Sequence, residues 1–348
     1  MKALGFTQHG DLDQMQILEL PQPEPGPGEV LVEVKASAFN HLDIWVCRGW
    51  PSLKLTLPHV SGADGAGLVA ALGEGVTGLD IGTRVAIDPG LNMFEDEYTQ
   101  RGEHSISPGY RLIGEHAPGT NAEYIVVPAQ NLISMPETAS LTEAAAAGLV
   151  YLTAWRMLMK RARIQAGQTV LVIGAGGGVN SAAIQIAKLA GCTVYATTST
   201  EQKMQQAQEL GADEVINYRE DSQWSKTVYQ LTNKRGVDVV VDNIGQATLP
   251  DSMRAVARGG KIVIVGNTSG PQSQIDTRFI FSKQISLIGS TMGNHHDYRQ
   301  VMNLVFEGKL KPVIDRVVPL GQGVEAIQVL ARGEQFGKIV LTPYPDEG

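Results

Sequence analysis

Thr169-Val-Leu-Val-Ile-Gly-Ala-Gly-Gly-Gly-Val-Asn180 is the stretch on which the fold turns. Thr169–Ile173 is an unbroken apolar run rich in β-branched residues, as a parallel strand buried on both faces requires. Gly174–Gly178 then form a tight turn. Ala182, Ala183, Ile186, Ala187 and Ala190 recur at helical spacing, Gly191 stops that helix, and Thr193–Thr197 reads as the next strand. A β–turn–α–β unit of this kind holds a dinucleotide. Glycine lets the backbone approach a pyrophosphate, and the free N–H groups of the helix start point at it. Gly176, Gly177, Gly178 and Val179 are the expected phosphate contacts. The glycine motif is imperfect, since a literal GxGxxG needs glycine at Val179 or Asn180.

The end of the second strand carries the cofactor preference. Sites for NAD place a carboxylate there, about 20 residues past the glycines, to hold the ribose hydroxyls. Here the chain reads Thr197-Thr-Ser-Thr-Glu-Gln-Lys203, and no acid closes the strand. Hydroxyls and a lysine accept a 2′-phosphate, so NADP(H) is expected. Without a ligand, Lys203 is a solvated helix residue and Ser199 the N-cap.

The bulk composition sets bounds. A chain of 348 residues exceeds one ordinary core, so two domains are expected. With 43% hydrophobic and 18% charged residues it suits a globular enzyme. The net charge of −8 and the absence of a basic run argue against a nucleic-acid partner. No apolar run approaches the ~20 residues that span a bilayer, so no membrane is expected. The first residues lack a basic-then-apolar leader, and Cys47 and Cys192 fit neither a disulfide framework nor a cysteine zinc site. A cytoplasmic location follows from that reading.

Upstream, Val30, Val32 and Val34 alternate with Leu31, Glu33 and Lys35, and many short strands and turns suggest a barrel-like antiparallel domain. Residues 88–121 are a long polar excursion without a period. Leu141–Lys160 and Leu249–Arg258 read as helices, and Lys261–Val265 and Ile285–Gly289 as strands of a doubly wound parallel sheet. Asp297–Gly308, Gly323–Arg332 and Lys338–Thr342 rejoin the first domain. The expected division is 1–130 completed by 293–348, with 131–292 as the nucleotide domain.

Over nearly its full length the chain resembles the medium-chain dehydrogenase/reductase superfamily, and within it the zinc-free quinone oxidoreductase branch. The matching segments include Asn40-His-Leu-Asp43, Gly62-Ala-Asp-Gly-Ala-Gly-Leu-Val69, Gly119-Thr-Asn-Ala-Glu-Tyr124, Leu152-Thr-Ala154, Val215-Ile-Asn-Tyr218 and Gly266-Asn-Thr-Ser-Gly-Pro271. The resemblance implies an α/β fold, a Rossmann doubly wound parallel-sheet domain plus a GroES-like, mostly antiparallel β catalytic domain. It implies a homodimer or dimer of dimers, paired through the edge strand Ile285–Gly289. Zinc enzymes of this superfamily place a cysteine ligand where Asn40 stands and a histidine ligand where Ala63 stands. Neither replacement serves tetrahedral zinc, and Leu42 lacks the hydroxyl that relays a proton in those enzymes. No metal is expected.

The resemblance carries Asn40 to the nicotinamide and substrate, where it is expected to donate to a carbonyl oxygen; Trp45 stands where relatives carry a tyrosine and can stack on a flat ring, and His41 is a candidate donor of a proton or hydrogen bond. The resemblance also carries Ser199, Lys203 and Tyr218 to the 2′-phosphate and Asn267 to the nicotinamide side, and Thr153, Asn243 and Gly266 are further expected cofactor contacts. The expected reaction is hydride transfer from NADPH to a quinone or an α,β-unsaturated carbonyl compound. Its rivals are a zinc-type alcohol dehydrogenase with atypical ligands and a non-catalytic NADPH-binding protein. His59 and Asp64 lie five residues apart and suggest a metal, but the sequence does not position His104 or His116 to complete a set, and His295-His296 is expected on an exposed turn.

Overall fold

The computed structural model describes residues 1–343. The chain forms two compact units, Met1–Leu152 with the segment from Gly293 onward, and Thr153–Met292. The division falls later than residue 130 because Leu132–Ser134 pairs with Arg84–Ile87 in the first unit's sheet. A strand whose hydrogen bonds are made there cannot belong to the other core.

Six parallel strands build the second unit, in the order Glu214–Asn217, Thr193–Thr198, Thr169–Ile173, Val237–Asp242, Val256–Ile264 and Ser286–Gly289. The first strand in sequence lies third in space, the order of a Rossmann sheet, and the strand order reverses between Thr169–Ile173 and Val237–Asp242. Val170, Leu171 and Val172 are wholly buried, which is why that strand is apolar on both faces. Two boundaries differ from expectation. The helix from Leu249 stops at Ala255, and Val256 already pairs with Val237. Gly259, at φ +72°, and Gly260 sit where the register then shifts to match Val239 with Lys261. The helix from Leu141 is α-helical to Trp155 and continues as a π-helical turn, Arg156–Ala162.

The first unit is mostly antiparallel, as a GroES-like domain requires. Its largest sheet runs Leu132–Ser134, Arg84–Ile87, Asp64–Leu72, Glu29–Ala38, Lys338–Thr342, Ile314–Pro319, with Tyr124–Pro128 also on Glu29–Ala38. Val30, Val32, Val34, Val69, Val85 and Ile87 fill its interior. Gly67 allows a close approach, because a Cβ there would collide with the backbone of Glu33. The 88–121 excursion is folded rather than featureless. It contains the hairpin Gly90–Asn92/Tyr110–Leu112 and a short helix, Glu97–Gln100, capped by Asp96.

His295 opens the helix His295–Phe306 instead of lying on an exposed turn, with Nδ1 2.6 Å from Asp88 Oδ2. Tyr298 of that helix is 1% exposed, and its hydroxyl donates to the Ile87 carbonyl at 2.8 Å. Tyr298→Phe leaves this buried carbonyl without its donor and is expected to cost about 1 kcal/mol in denaturant unfolding. Unchanged stability would show that the bond contributes nothing.

Candidate active site

Strand register explains why three distant residues meet in the first unit. Ala38 lies opposite Val340 on one side and opposite Asp64 on the other. Continuing both antiparallel registers brings Lys338 level with Asn40, next to the start of the Asp64–Leu72 strand. The side chains then close a triangle. Lys338 Nζ lies 2.6 Å from Asn40 Oδ1 and 2.9 Å from Asp64 Oδ2, and Asn40 Nδ2 donates to Asp64 Oδ2 at 2.8 Å. Asn40, Asp64 and Lys338 are 7%, 0% and 4% exposed, so this is a buried ion pair with an amide wedged into it. An ammonium only donates and a carboxylate only accepts, so the amide has one possible orientation. The other carboxylate oxygen of Asp64 accepts from the Leu149 N–H. Gly148 is glycine because a Cβ there would strike that oxygen.

Asn40 is also the N-cap residue of the helix His41–Arg48, with its side chain committed to Lys338 and Asp64. Asp43 reaches back, accepting from the Asn40 N–H at 2.7 Å and the Gly62 N–H at 2.8 Å. That second bond fixes the loop carrying Ala63, and Gly62 itself has φ +100° and packs tightly on Asn121. Thr120 Oγ1 donates to the Asp64 carbonyl at 2.6 Å, so the Gly119–Tyr124 segment braces the same corner. His41 and Trp45 are half-buried one helical turn apart, with ring centroids 6.2 Å apart. Burial, reinforced by the Lys338 charge, holds the His41 pKa below its ordinary value, so the imidazole is neutral at pH 7. The Cys47 thiol is pushed up to about 11 by burial and supplies no thiolate.

This cluster does not fit a metal ion. Asn40 and Ala63 stand where the zinc-using relatives' ligands are expected, Ala63 offers no donor, and the adjacent group is a cation. His59 is turned away, with Nε2 donating to the Gly114 carbonyl at 3.0 Å. Among the described residues, no group of three or more His, Cys, Asp or Glu side chains is placed to hold a metal.

In the second unit the glycine turn, Ser199, Tyr218, Asn243 and Gly266 lie past the carboxyl ends of parallel strands, whereas Lys203 lies in the helix Glu201–Glu209 and Thr153 in the helix Leu141–Trp155. Gly177 caps the helix Gly178–Leu189, whose first N–H groups, including those of Gly178 and Val179, have no intrahelical acceptor. Gly176 lies in the turn just before them. Ser199 follows the strand Thr193–Thr198, and the Tyr218 N–H donates to the Thr198 carbonyl, so Ser199 and Tyr218 end neighbouring strands. Thr200 rather than Ser199 is the N-cap, accepting from the Lys203 N–H at 3.2 Å, which leaves the Ser199 hydroxyl out of the capping role. Asn243 and Gly266 follow the next two strands, with Asn267 exposed beside them. Thr153 is buried, with Oγ1 3.6 Å from Met292 Sδ. Asn180 Nδ2 donates to the Ile173 and Gly174 carbonyls at 2.8 and 2.7 Å, and Asn243 Nδ2 donates to Asn180 Oδ1 at 2.6 Å. Asn243 Oδ1 remains buried without a hydrogen-bond partner. A glycine turn, a helix start and an orphaned acceptor fit a pyridine nucleotide.

Residues 26–137 match the family described as the alcohol dehydrogenase GroES-like domain, and residues 178–307 the zinc-binding dehydrogenase family. A solved structure described as NAD-dependent alcohol dehydrogenase superposes with a TM-score of 0.95 at 44% identity, covering 99% of this chain and 100% of that one. A zinc-type alcohol dehydrogenase-like protein of Schizosaccharomyces pombe is 32% identical over 97% of this chain and 99% of its own. The quinone oxidoreductase of Homo sapiens is 29% identical over 98% of this chain and 97% of its own. The chain belongs to the medium-chain dehydrogenase/reductase superfamily, a class of pyridine-nucleotide oxidoreductases.

Lys338 and Asp64 are the residues that local sequence reading did not assign. Lys338 lies 298 positions from Asn40, and only the strand register brings the two together.

Asp43 generates a prediction. Burial, partly offset by its two backbone N–H bonds, raises its pKa from 3.8 to about 6. A raised folded-state pKa contributes stability that is fully present below about pH 4 and lost as pH rises through about 6. Asp43→Asn, which does not titrate, is therefore expected to show a Tm deficit that shrinks from pH 4 to pH 7. A deficit that grows over that window would contradict the assignment.

Proposed function

We propose that this chain is an NADPH-dependent reductase that transfers hydride to quinones or α,β-unsaturated carbonyl compounds without a catalytic metal. The observation that carries the reading is the buried Lys338–Asp64–Asn40 triangle. A divalent ion on Asn40 Oδ1 would lie within a few ångströms of the ammonium. That oxygen already accepts from Lys338 Nζ, so an ion there would have to displace the ammonium from a charge-balanced, hydrogen-bonded triangle. Alcohol oxidation of the zinc type needs that ion as a Lewis acid. Conjugate reduction makes a milder demand, because its developing charge spreads over an enolate or hydroquinone.

The bound nucleotide supplies the hydride. Asn40 supplies a donor for the substrate oxygen. Its carbonyl is held by Lys338 and one N–H by Asp64, which leaves its other N–H as the donor for a ligand. Lys338 polarises that amide from the far side. His41, neutral at working pH, offers a ring N–H, and Trp45 provides a flat apolar face for a conjugated substrate. Solvent or a side chain supplies the proton that completes the reduction.

The preference for NADPH rests on Ser199, Lys203 and Tyr218 and on the absence of a carboxylate closing the second strand. The names of the alcohol dehydrogenase relatives favour a second reading, oxidation of simple alcohols. Following NADPH absorbance with a panel of enones and quinones, and NADP⁺ reduction with simple alcohols, separates the two. Enone or quinone turnover is expected, and turnover of alcohols alone would favour the second reading. Asn40→Ala is expected to lower kcat by about 10²-fold, the order found on removing one oxyanion donor. An unchanged kcat would remove Asn40 from the mechanism.

A second copy of the chain is the proposed partner. Ser286–Gly289 is the exposed edge strand of the parallel sheet, with no further strand on its outer side among the described residues. Size-exclusion chromatography with light scattering is expected to give at least a dimer, and a monomer would contradict this pairing.

A further inference from the structure

Asn180 stands where the nucleotide motif expects a glycine, so its side chain needs an explanation. It is 4% exposed and fills the inside of the turn, against Gly174 and Gly177. Its two partners from the strand end, the carbonyls of Ile173 and Gly174, are acceptors only. The atom facing them is therefore the NH₂ group, and Oδ1 must face Asn243. Asn243 must then present its own NH₂ to Asn180, at 2.6 Å, which fixes its Oδ1 as an outward acceptor. That oxygen is buried and has no hydrogen-bond partner, on a residue 9% exposed. A buried acceptor without a donor keeps its full desolvation penalty and calls for a ligand donor.

Resting on the reading that this turn holds a pyridine nucleotide, we infer that Asn180 is a positioning residue. It locks Asn243 so that Oδ1 accepts a hydrogen bond from the nicotinamide half of the nucleotide. The half is set by topology. Ser199 ends the strand on one side of the point where strand order reverses, and Asn243 ends the strand on the other. A dinucleotide lies across that point, with its two mononucleotide halves on opposite sides. Two groups of the nicotinamide half donate hydrogen bonds, the ribose hydroxyls and the carboxamide NH₂. A glycine at 180 would leave Asn243 free to rotate its amide and present either end.

The test is a double-mutant cycle read in binding rather than turnover. NADPH dissociation constants are measured by nucleotide fluorescence for the wild type, Asn180→Ala, Asn243→Ala and the double variant. Asn180→Gly is a second route to the same loss, should the alanine variant fail to fold. Each single change is expected to weaken binding about five- to tenfold, and the double change no more than the stronger single one. An unchanged Kd for Asn180→Ala and Asn180→Gly, or effects that multiply, would overturn the inference. 2′-Phospho-ADP-ribose, titrated by calorimetry, distinguishes the donors. A retained Asn243→Ala effect identifies the ribose hydroxyls, and its loss identifies the carboxamide. A wild type that binds neither NADPH nor NADH would overturn the nucleotide reading itself, an outcome distinct from failure of the coupling.

Discussion

One ammonium group organises the catalytic unit. Lys338 Nζ is buried and shared between the Asp64 carboxylate and the Asn40 carbonyl, tying together the last described strand, the Asp64–Leu72 strand and the start of the His41–Arg48 helix. Removing one partner of such a pair strands a buried charge at a cost of about 3–5 kcal/mol. The triangle therefore commits the surrounding segments to one arrangement. The Asp43 bond to Gly62, the Thr120 bond to Asp64 and the glycine at 148 all serve the same corner.

Both units use a similar device. A side-chain amide is oriented by neighbours that can only donate or only accept, so that one polar atom is left for a ligand. At Asn40 the neighbours are an ammonium and a carboxylate, and a donor remains. At Asn243 they are two backbone carbonyls acting through Asn180, and an acceptor remains. The first suits an oxygen that gains negative charge, and the second a hydroxyl or an amide NH₂. Orientation is settled before a ligand arrives, which lowers the cost of binding it.

Much of the second unit was legible because its signals are local. The apolar run Thr169–Ile173, the glycines behind it and the periodic alanines each fix structure within a few residues. The boundaries that slipped depended on distant partners. Val256 and Ala257 extend a plausible helix by propensity, but pairing with Val237 makes them strand. His295 sits within a polar segment that reads as a turn, and only Asp88, 207 positions away, gives it a place. The candidate site divides in the same way. Asn40, His41 and Trp45 lie in one short segment and were readable, whereas Asp64 and Lys338 join them only through antiparallel register. Asn180 was legible as a departure from the glycine pattern, but its purpose depended on Asn243.

The proposed metal-free chemistry depends on the Lys338 ammonium holding Asn40 where a zinc enzyme would hold its ion. Elemental analysis of protein purified without chelator, after expression in zinc-supplemented medium, tests this most directly. Zinc well below one ion per chain is the result expected of a site built around Lys338. One zinc per chain, retained through dialysis and lost with activity on chelation, would contradict it.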